Sequence, residues 1–502
     1  MRSRLKKSRS RATAHEAIDY TQLAIAHAPT HATSFSFWAI GDTDAGAQSK
    51  QSTQSFSHRF AEQVLRHIQR SEVAEQDIEN NPYAQARPSG SFLLHTGDIT
   101  YPIGSYQNYL EGFLRPYESL LLQSPASPKY CGKDVVFKRP LLTVPGNHDY
   151  ATPSGKLWLG RKWLRGVCDF LRQFGIDFGH YGGEGGEAYE NTFLDDTQGL
   201  SSEQLSAHLA THYSARARSC DSLAPYCLQY APGKFTRLPN RYYRFRYGGV
   251  EFFALDSNTW NTSPEKKNFD QAQLDWLSRS LIESWQSDIE AKDDSQRTVA
   301  RVLYLHHSPY TTEESRWQQS ETLWVRRHLR TVLDNVSHAI NRFSDKNSAD
   351  AKQLLQPVNL IISGHAHCFE HIKTRDTGHA DSSLDWIVCG GSGKGIRRQR
   401  ADGTKILETI SESDRSRTCV VADSVSFAGK HGSGRYTQTF HSFVQVKVCL
   451  AETNKIIIRP FVVARRTNQI TVQQPVRALS PIEIDLPPLE PSSAYRPMKV
   501  AF

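Results

Sequence analysis

Five short polar motifs, each at the end of an apolar stretch, carry the residues of this chain that could do chemistry. They are GDTDAG (Gly41–Gly46), GDITY (Gly97–Tyr101), GNHD (Gly146–Asp149), LHHSP (Leu305–Pro309) and GHAH (Gly364–His367). Between them they offer carboxylates, a phenol, an amide oxygen and imidazoles, donors that suit hard or borderline ions such as Fe, Mn and Zn. No cysteine lies in the motifs, which argues against soft-metal or iron–sulfur chemistry. GHAH spaces two imidazoles at i and i+2, as a turn serving two adjacent ions would. One aspartate would have to bridge ions about 3.5–4 Å apart, the separation used for displacement at phosphorus. The set therefore points to a dinuclear metal hydrolase.

The elements that must position these residues follow from the flanking pattern. FSFWAIG, SFLLHTG, PLLTVPG, VARVLYLHH and PVNLIISGH are short apolar runs that end at a motif, as buried strands do. Motifs at the strand-to-loop handover belong to a layered α/β fold, where loops at the carboxyl ends of strands converge on one edge. Phe60, Val64 and Ile68 mark one face of a helix. Tyr106 through Leu121 recur at helical spacing. YYRFRY, Gly248-Gly249 and VEFFALD read as a β-hairpin. Asp270 and Gln273 can cap the next helix, and a further helix lies around Leu323 to Val336. DWIVCG, FVQVKV and KIIIRPFVV supply late strands.

The bulk properties bound the rest. A chain of 502 residues, 38% hydrophobic and 22% charged, can bury a large core. No apolar run approaches the roughly 20 residues of a membrane span. Net charge is +8, and six of the first eleven residues are Arg or Lys, so the body is near neutral and shows no footprint for a polyanion. Residues 1–33 read as a disordered basic tail, 34–470 as a catalytic domain with a large insertion over about 151–240, and 471–502 as a proline-rich extended tail. The insertion, glycine-rich and without clear period, would form a lid or substrate wall. Eight cysteines occur singly and read as buried or reduced thiols. With no apolar stretch behind it the basic start does not read as a secretory signal, and the expected compartment is cytoplasmic.

The motif series resembles the calcineurin-like metallophosphoesterases, and within them the purple acid phosphatase branch. Gly97, Asp98 and Tyr101 match that branch's Gly-Asp, two residues, then Tyr; VEFFALDSN and QLDWL add to the likeness. The resemblance implies a four-layer α/β/β/α sandwich with two mixed sheets, a large insertion and flexible termini. It implies two divalent or trivalent ions, Fe with Fe, Zn or Mn. Asp42, Asp98, Tyr101 and His367 would hold the first, and Asp98, Asn147, His307 and His365 the second. His307 is taken over His306 because the family's ligand stands two residues before proline. His306 would touch the phosphate or simply end the strand. His148 would be the general acid and the bridging Asp98 the other catalytic residue, with a metal-bound hydroxide attacking in line. Asp149 reads as structural. Asp44 departs from the wider superfamily, which often has a metal-binding histidine there.

The implied activity is hydrolysis of phosphomonoesters, on a small molecule or a phosphoprotein. Two alternatives stand beside it: a phosphodiesterase acting on cyclic nucleotides or nucleic acid, and a non-catalytic metal-binding scaffold of the same fold. A nucleic-acid partner is not the expected one. GGSGKG (Gly390–Gly395) lacks the GxxxxGK[ST] spacing and reads as a turn near the metal site rather than a nucleotide loop. Glu370 and His371 read as supporting residues.

Overall fold

The computed structural model describes residues 18–43, 56–79, 92–127, 130–150, 184–197, 199–215, 226–291, 293, 297–343, 355–393, 395–412, 415–450, 453–466 and 475–486. Two mixed sheets lie face to face. In spatial order the larger holds β13 (Lys405–Glu412), β14 (Arg415–Ala428), β11 (Phe369–Thr374), β12 (Asp385–Cys389), β10 (Leu360–Ser363), β9 (Ala300–Leu305), β8 (Val250–Leu255), β7 (Tyr243–Tyr247), β1 (Ile18–Ile25), β6 (Tyr226–Tyr230) and β5 (Tyr213–Ala215). The other holds β18 (Arg477–Ala478), β17 (Lys455–Arg466), β16 (Gln438–Cys449), β2 (Phe35–Ile40), β3 (Leu93–His95) and β4 (Leu141–Thr143). On it β15 (Lys430–His431) pairs with β16, and β19 (Ile482–Asp485) with β17.

Between the sheets lies an aromatic core. The Phe37 and Phe92 rings stack at 4.9 Å, Phe245 and Phe252 stack at 4.7 Å, and Phe37 meets Phe252 edge-on at 5.4 Å. Side chains one position along each strand point outward under helices. Trp38 meets His67 of α1 (Phe56–Glu79), whose Phe60, Val64 and Ile68 are buried as their spacing implied. On the far face of the larger sheet, Phe253, Leu303, Leu305 and Ile361 form a second core with α4 (Gln271–Glu290) and α5 (Ser320–Phe343). The layers are therefore helix, sheet, sheet, helix, the expected class of fold. No helix among the described residues is long and apolar enough to cross a membrane.

The expected hairpin is present, with Gly248 and Gly249 at φ 56° and 84° closing the two-residue turn between β7 and β8. Asp270 caps α4 through Gln273 N, but the Gln273 side chain turns away to Asp256 N and Trp260 Nε1. The single helix expected over Tyr106–Leu121 is broken. An α-turn (Tyr106–Tyr109) runs into a π-turn (Leu110–Leu114), and a 3-10 turn follows Pro116, which offers no N–H.

Three expectations are corrected at the edges of the fold. From Ile18 the basic tail becomes β1, paired in parallel with both β6 and β7. Its alternation is broken where the register shifts between Asp19 and Leu23, and there Thr21 N and Oγ1 bond Asp19 Oδ1. The insertion, expected as a lid or substrate wall, contributes α2 (Glu184–Phe193) and α3 (Ser202–His212), and its β5 and β6 extend the larger sheet. Residues 477–478 and 482–485 of the expected extended tail pair with β17, burying Ile484. Residues 1–17, 151–183 and 487–502 lie outside the described residues.

Phe252 is fully buried where both sheets meet. Phe252→Ala is expected to lower unfolding free energy by about 3–5 kcal/mol, read as a shift of the urea midpoint. A loss under about 1 kcal/mol would show that the sheets can close over the gap.

Candidate metal centre

The parallel strands of both sheets end on the same edge, and each motif begins there. β2 leads to Asp42, β3 to Asp98, β4 to Asn147, β9 to His306 and β10 to His365. The backbone is bent hard at these points. Asp42, Asp98 and His365 adopt φ of 56°, 50° and 67°, a region that side chains other than glycine seldom occupy and that costs about 1–3 kcal/mol each. Adjacent glycines make room. A Cβ on Gly146 would overlap Asp98 N and Oδ1, and one on Gly364 or on Gly390 would press to 2.8 Å from Asp42 Oδ2.

Two groups of lone pairs result. In the first, the Tyr101 hydroxyl lies 2.8 Å from Asp42 Oδ1, 2.7 Å from Asp98 Oδ2 and 3.3 Å from His367 Nε2. His367 Nδ1 is 3.1 Å from Gly395 O, and a carbonyl only accepts, so the proton sits on Nδ1. Nε2 then turns toward Asp42 Oδ1, 3.4 Å away. In the second group, His306 Nδ1 donates to Thr96 O at 2.8 Å. Its Nε2 faces Asn147 Oδ1 at 3.1 Å, His365 Nδ1 at 3.1 Å and Asp98 Oδ1 at 3.5 Å. His365 Nε2 lies 3.0 Å from Gln319 Oε1, which likewise leaves the Nδ1 lone pair inward. Asp98 thus turns one oxygen to each group.

Such a convergence of acceptors fits cations and little else. Ligand atoms of Asp42, Asp98 and His306 all lie within 4.8 Å of one another. The electrostatics agree. Burial, reinforced by the Asp98 charge, pushes Asp42 up to about 7. Asp98 is as deeply buried, yet His306, His148 and the Tyr101 and His148 hydrogen bonds hold it below the usual carboxylate range. Burial and then Asp42 drive the Tyr101 phenol well up. Two carboxylates this close cannot both ionise comfortably unless positive charge sits between them.

The two histidines of LHHSP exchange the places expected of them. His306, not His307, meets Asp98 and Asn147. Both nitrogens of His307 are engaged on the other side, Nδ1 with Ser257 Oγ at 2.8 Å and Nε2 with Asn261 Nδ2 at 3.2 Å. Its ring remains beside His365, 4.5 Å between centroids. His148 donates its backbone N–H to Asp98 Oδ1 and packs its ring 4.3 Å from Tyr101. Asp149 accepts from Gly146 N, Ile99 N and the Tyr109 hydroxyl, tying GDITY to GNHD. Glu370 is buried under Thr311, Thr312 and Ser424, away from the lone-pair groups. Asp44 lies outside the described residues. Gln319 and Arg316, in the loop before α5, carried no motif, and only their position one loop after LHHSP could have drawn notice.

A family model described as calcineurin-like phosphoesterase matches residues 35–369. The chain belongs to that family. Its members typically hold two metal ions, and the family is one of hydrolases. No curated protein matches the chain in sequence. Among solved structures, a purple acid phosphatase from yellow lupin (Lupinus luteus) seeds is similar at 13% identity and TM-score 0.43. That likeness covers 94% of this chain and 58% of the lupin chain, so this chain spans under two thirds of its length. GAP50, the anchor in the inner membrane complex of Plasmodium, is similar at 13% identity and TM-score 0.35, over 90% and 89% of the two chains.

Because Gly146 lies against Asp98, Gly146→Ala is expected to displace the carboxylate shared by both groups. Elemental analysis of the purified variant should find fewer ions per chain than in the wild type. Equal metal content would mean that the loop yields without moving Asp98.

Proposed function

We propose that this calcineurin-like phosphoesterase is of the purple acid phosphatase type, a dinuclear enzyme that hydrolyses phosphomonoesters. The observation that carries the reading is the Tyr101 hydroxyl, placed within 2.8 Å of Asp42 and Asp98 and beside His367 Nε2. A phenolate there is the ligand expected for a ferric ion with Fe, Zn or Mn as its partner. Asp42, Asp98, Tyr101 and His367 would hold one ion, and Asp98, Asn147, His306 and His365 the other. When bound, the ions would supply Lewis acidity toward the phosphoryl oxygens and acidify a water.

The remaining work falls to the chain's own groups. His148 Nδ1 donates to Pro102 O at 2.8 Å, which leaves Nε2 as the nitrogen able to hand a proton to the leaving oxygen. The backbone bond to Asp98 and the packing on Tyr101 fix the ring beside the site without making it a ligand. His307, bonded to Ser257 and Asn261, supports the ring of His365 from behind.

Monoester and diester substrates assayed on protein loaded with Fe, Mn or Zn test the reading. Turnover of monoesters over diesters is expected; preference for diesters would make it a phosphodiesterase, and no metal with no turnover a scaffold. His148→Ala should lower kcat by about 100-fold or more with metal content unchanged. His306→Ala should lose one ion per chain while His307→Ala keeps both; the reverse result would return the ligand role to His307. In iron-loaded protein Tyr101→Phe should abolish a visible charge-transfer band, and a band that survives would remove the phenolate assignment.

A further inference from the structure

Arg316 is 8% exposed, yet among the described residues its guanidinium makes one hydrogen bond, from Nη1 to Gln319 Oε1 at 2.9 Å, and no ion pair. A guanidinium carries five donors and a charge that never titrates away. Its other donors are not among the sealed, unpartnered nitrogens of the described residues, so they remain open to an anion that enters. Its place is specific. The Gln319 oxygen that accepts from Arg316 also meets His365 Nε2 at 3.0 Å. The cation therefore stands one residue behind the second lone-pair group.

Nearby anionic charge does not cancel it. Glu313 lies close enough to feel both Arg316 and Arg397, and it also accepts from Ser315 N at 2.9 Å and from Ser315 Oγ. Two guanidiniums thus share the influence of one carboxylate. Arg397 is itself anchored at the site, its backbone N–H donating to His367 O at 3.0 Å. The wall formed by the loop before α5 and by the segment after GGSGKG is positive where it borders the two histidines of GHAH. A dianion with several acceptor oxygens fits such a wall, and a planar guanidinium can donate to two of them at once.

We propose that Arg316 is a substrate-binding residue, donating to the non-bridging oxygens of the phosphoryl group that the metal centre cleaves. The assignment rests on the phosphoesterase reading. Gln319 is a positioning residue: it accepts from Arg316 and from His365 through one oxygen and so sets the distance between the clamp and the ligand.

Inorganic phosphate is the probe, titrated calorimetrically into the metal-loaded protein alongside steady-state assays with a monoester. For Arg316→Ala, the Kd for phosphate and the KM are expected to rise together by about 10- to 100-fold, with metal content equal to wild type. Arg316→Lys, which keeps the charge and loses the fork, should recover part of that loss and guards against misfolding in the alanine variant. Gln319→Ala should weaken metal retention more than phosphate affinity. Phosphate affinity within twofold of wild type in Arg316→Ala, or loss of metal there with affinity per loaded site unchanged, would overturn the proposal. Wild-type protein that binds phosphate through Arg316 but turns over no ester would sink the proposed activity and leave the clamp standing.

Discussion

Two buried carboxylates facing each other are the constraint on which the rest of this structure depends. Asp42 and Asp98 are both nearly fully enclosed, and their charges can persist together only if something positive lies between them. The chain does not place a lysine or arginine there. It places a phenol, an amide oxygen and imidazole lone pairs, all of them acceptors or weak acids. Every other feature of the edge follows: strand ends that stop short, glycines that leave room for oxygen atoms, and three non-glycine residues held at positive φ. Such strain persists only where the surrounding fold over-determines it. Here two sheets do so, because the Gly146 backbone lies close against Asp98 and those of Gly364 and Gly390 against Asp42, leaving no room for a Cβ.

Much of this was legible. A glycine after an apolar run, followed by an acid or a histidine, marks both the strand end and the turn that aims the side chain, and Gly41-Asp42, Gly97-Asp98 and Gly364-His365 carry that mark. The structure brings His306 rather than His307 against Asp98 and Asn147, and the signal for that placement lies in the pleat of β9. Val302 and Tyr304 face the core between the sheets, while Leu303 and Leu305 face the helices. Continuing that alternation sends His306 to the side of Tyr304, toward Asp98, and His307 to the side of Leu305, where Ser257 and Asn261 wait. Spacing from proline, a feature of the loop, was the weaker guide because the strand sets the direction before the loop begins.

The edges of the fold were less legible for a different reason. β1, β18 and β19 are short or irregular, and their pairing partners lie far away in sequence, so nothing local announces them. β1 joins β6 to β7, strands that follow it by some two hundred residues, and its own polar residues interrupt the alternation at the register shift. Pairing of this kind is decided by tertiary contact rather than propensity.

Orientation of the imidazoles shows how the fold divides its tasks. Thr96 O, Pro102 O and Gly395 O fix three rings, and a carbonyl can only accept, so the tautomers of His306, His148 and His367 are dictated by backbone that no substitution of a side chain removes. His365 is oriented instead by a side chain, Gln319, whose amide could turn over and donate. Arg316 prevents that, since a guanidinium has no lone pair to accept a hydrogen bond and so holds the Gln319 oxygen toward itself and His365. One cation thereby keeps the inner nitrogen of His365 available and sits where an incoming anion would meet it. Ligand geometry and anion binding are coupled through a single amide oxygen, and a change at Gln319 would be felt in both.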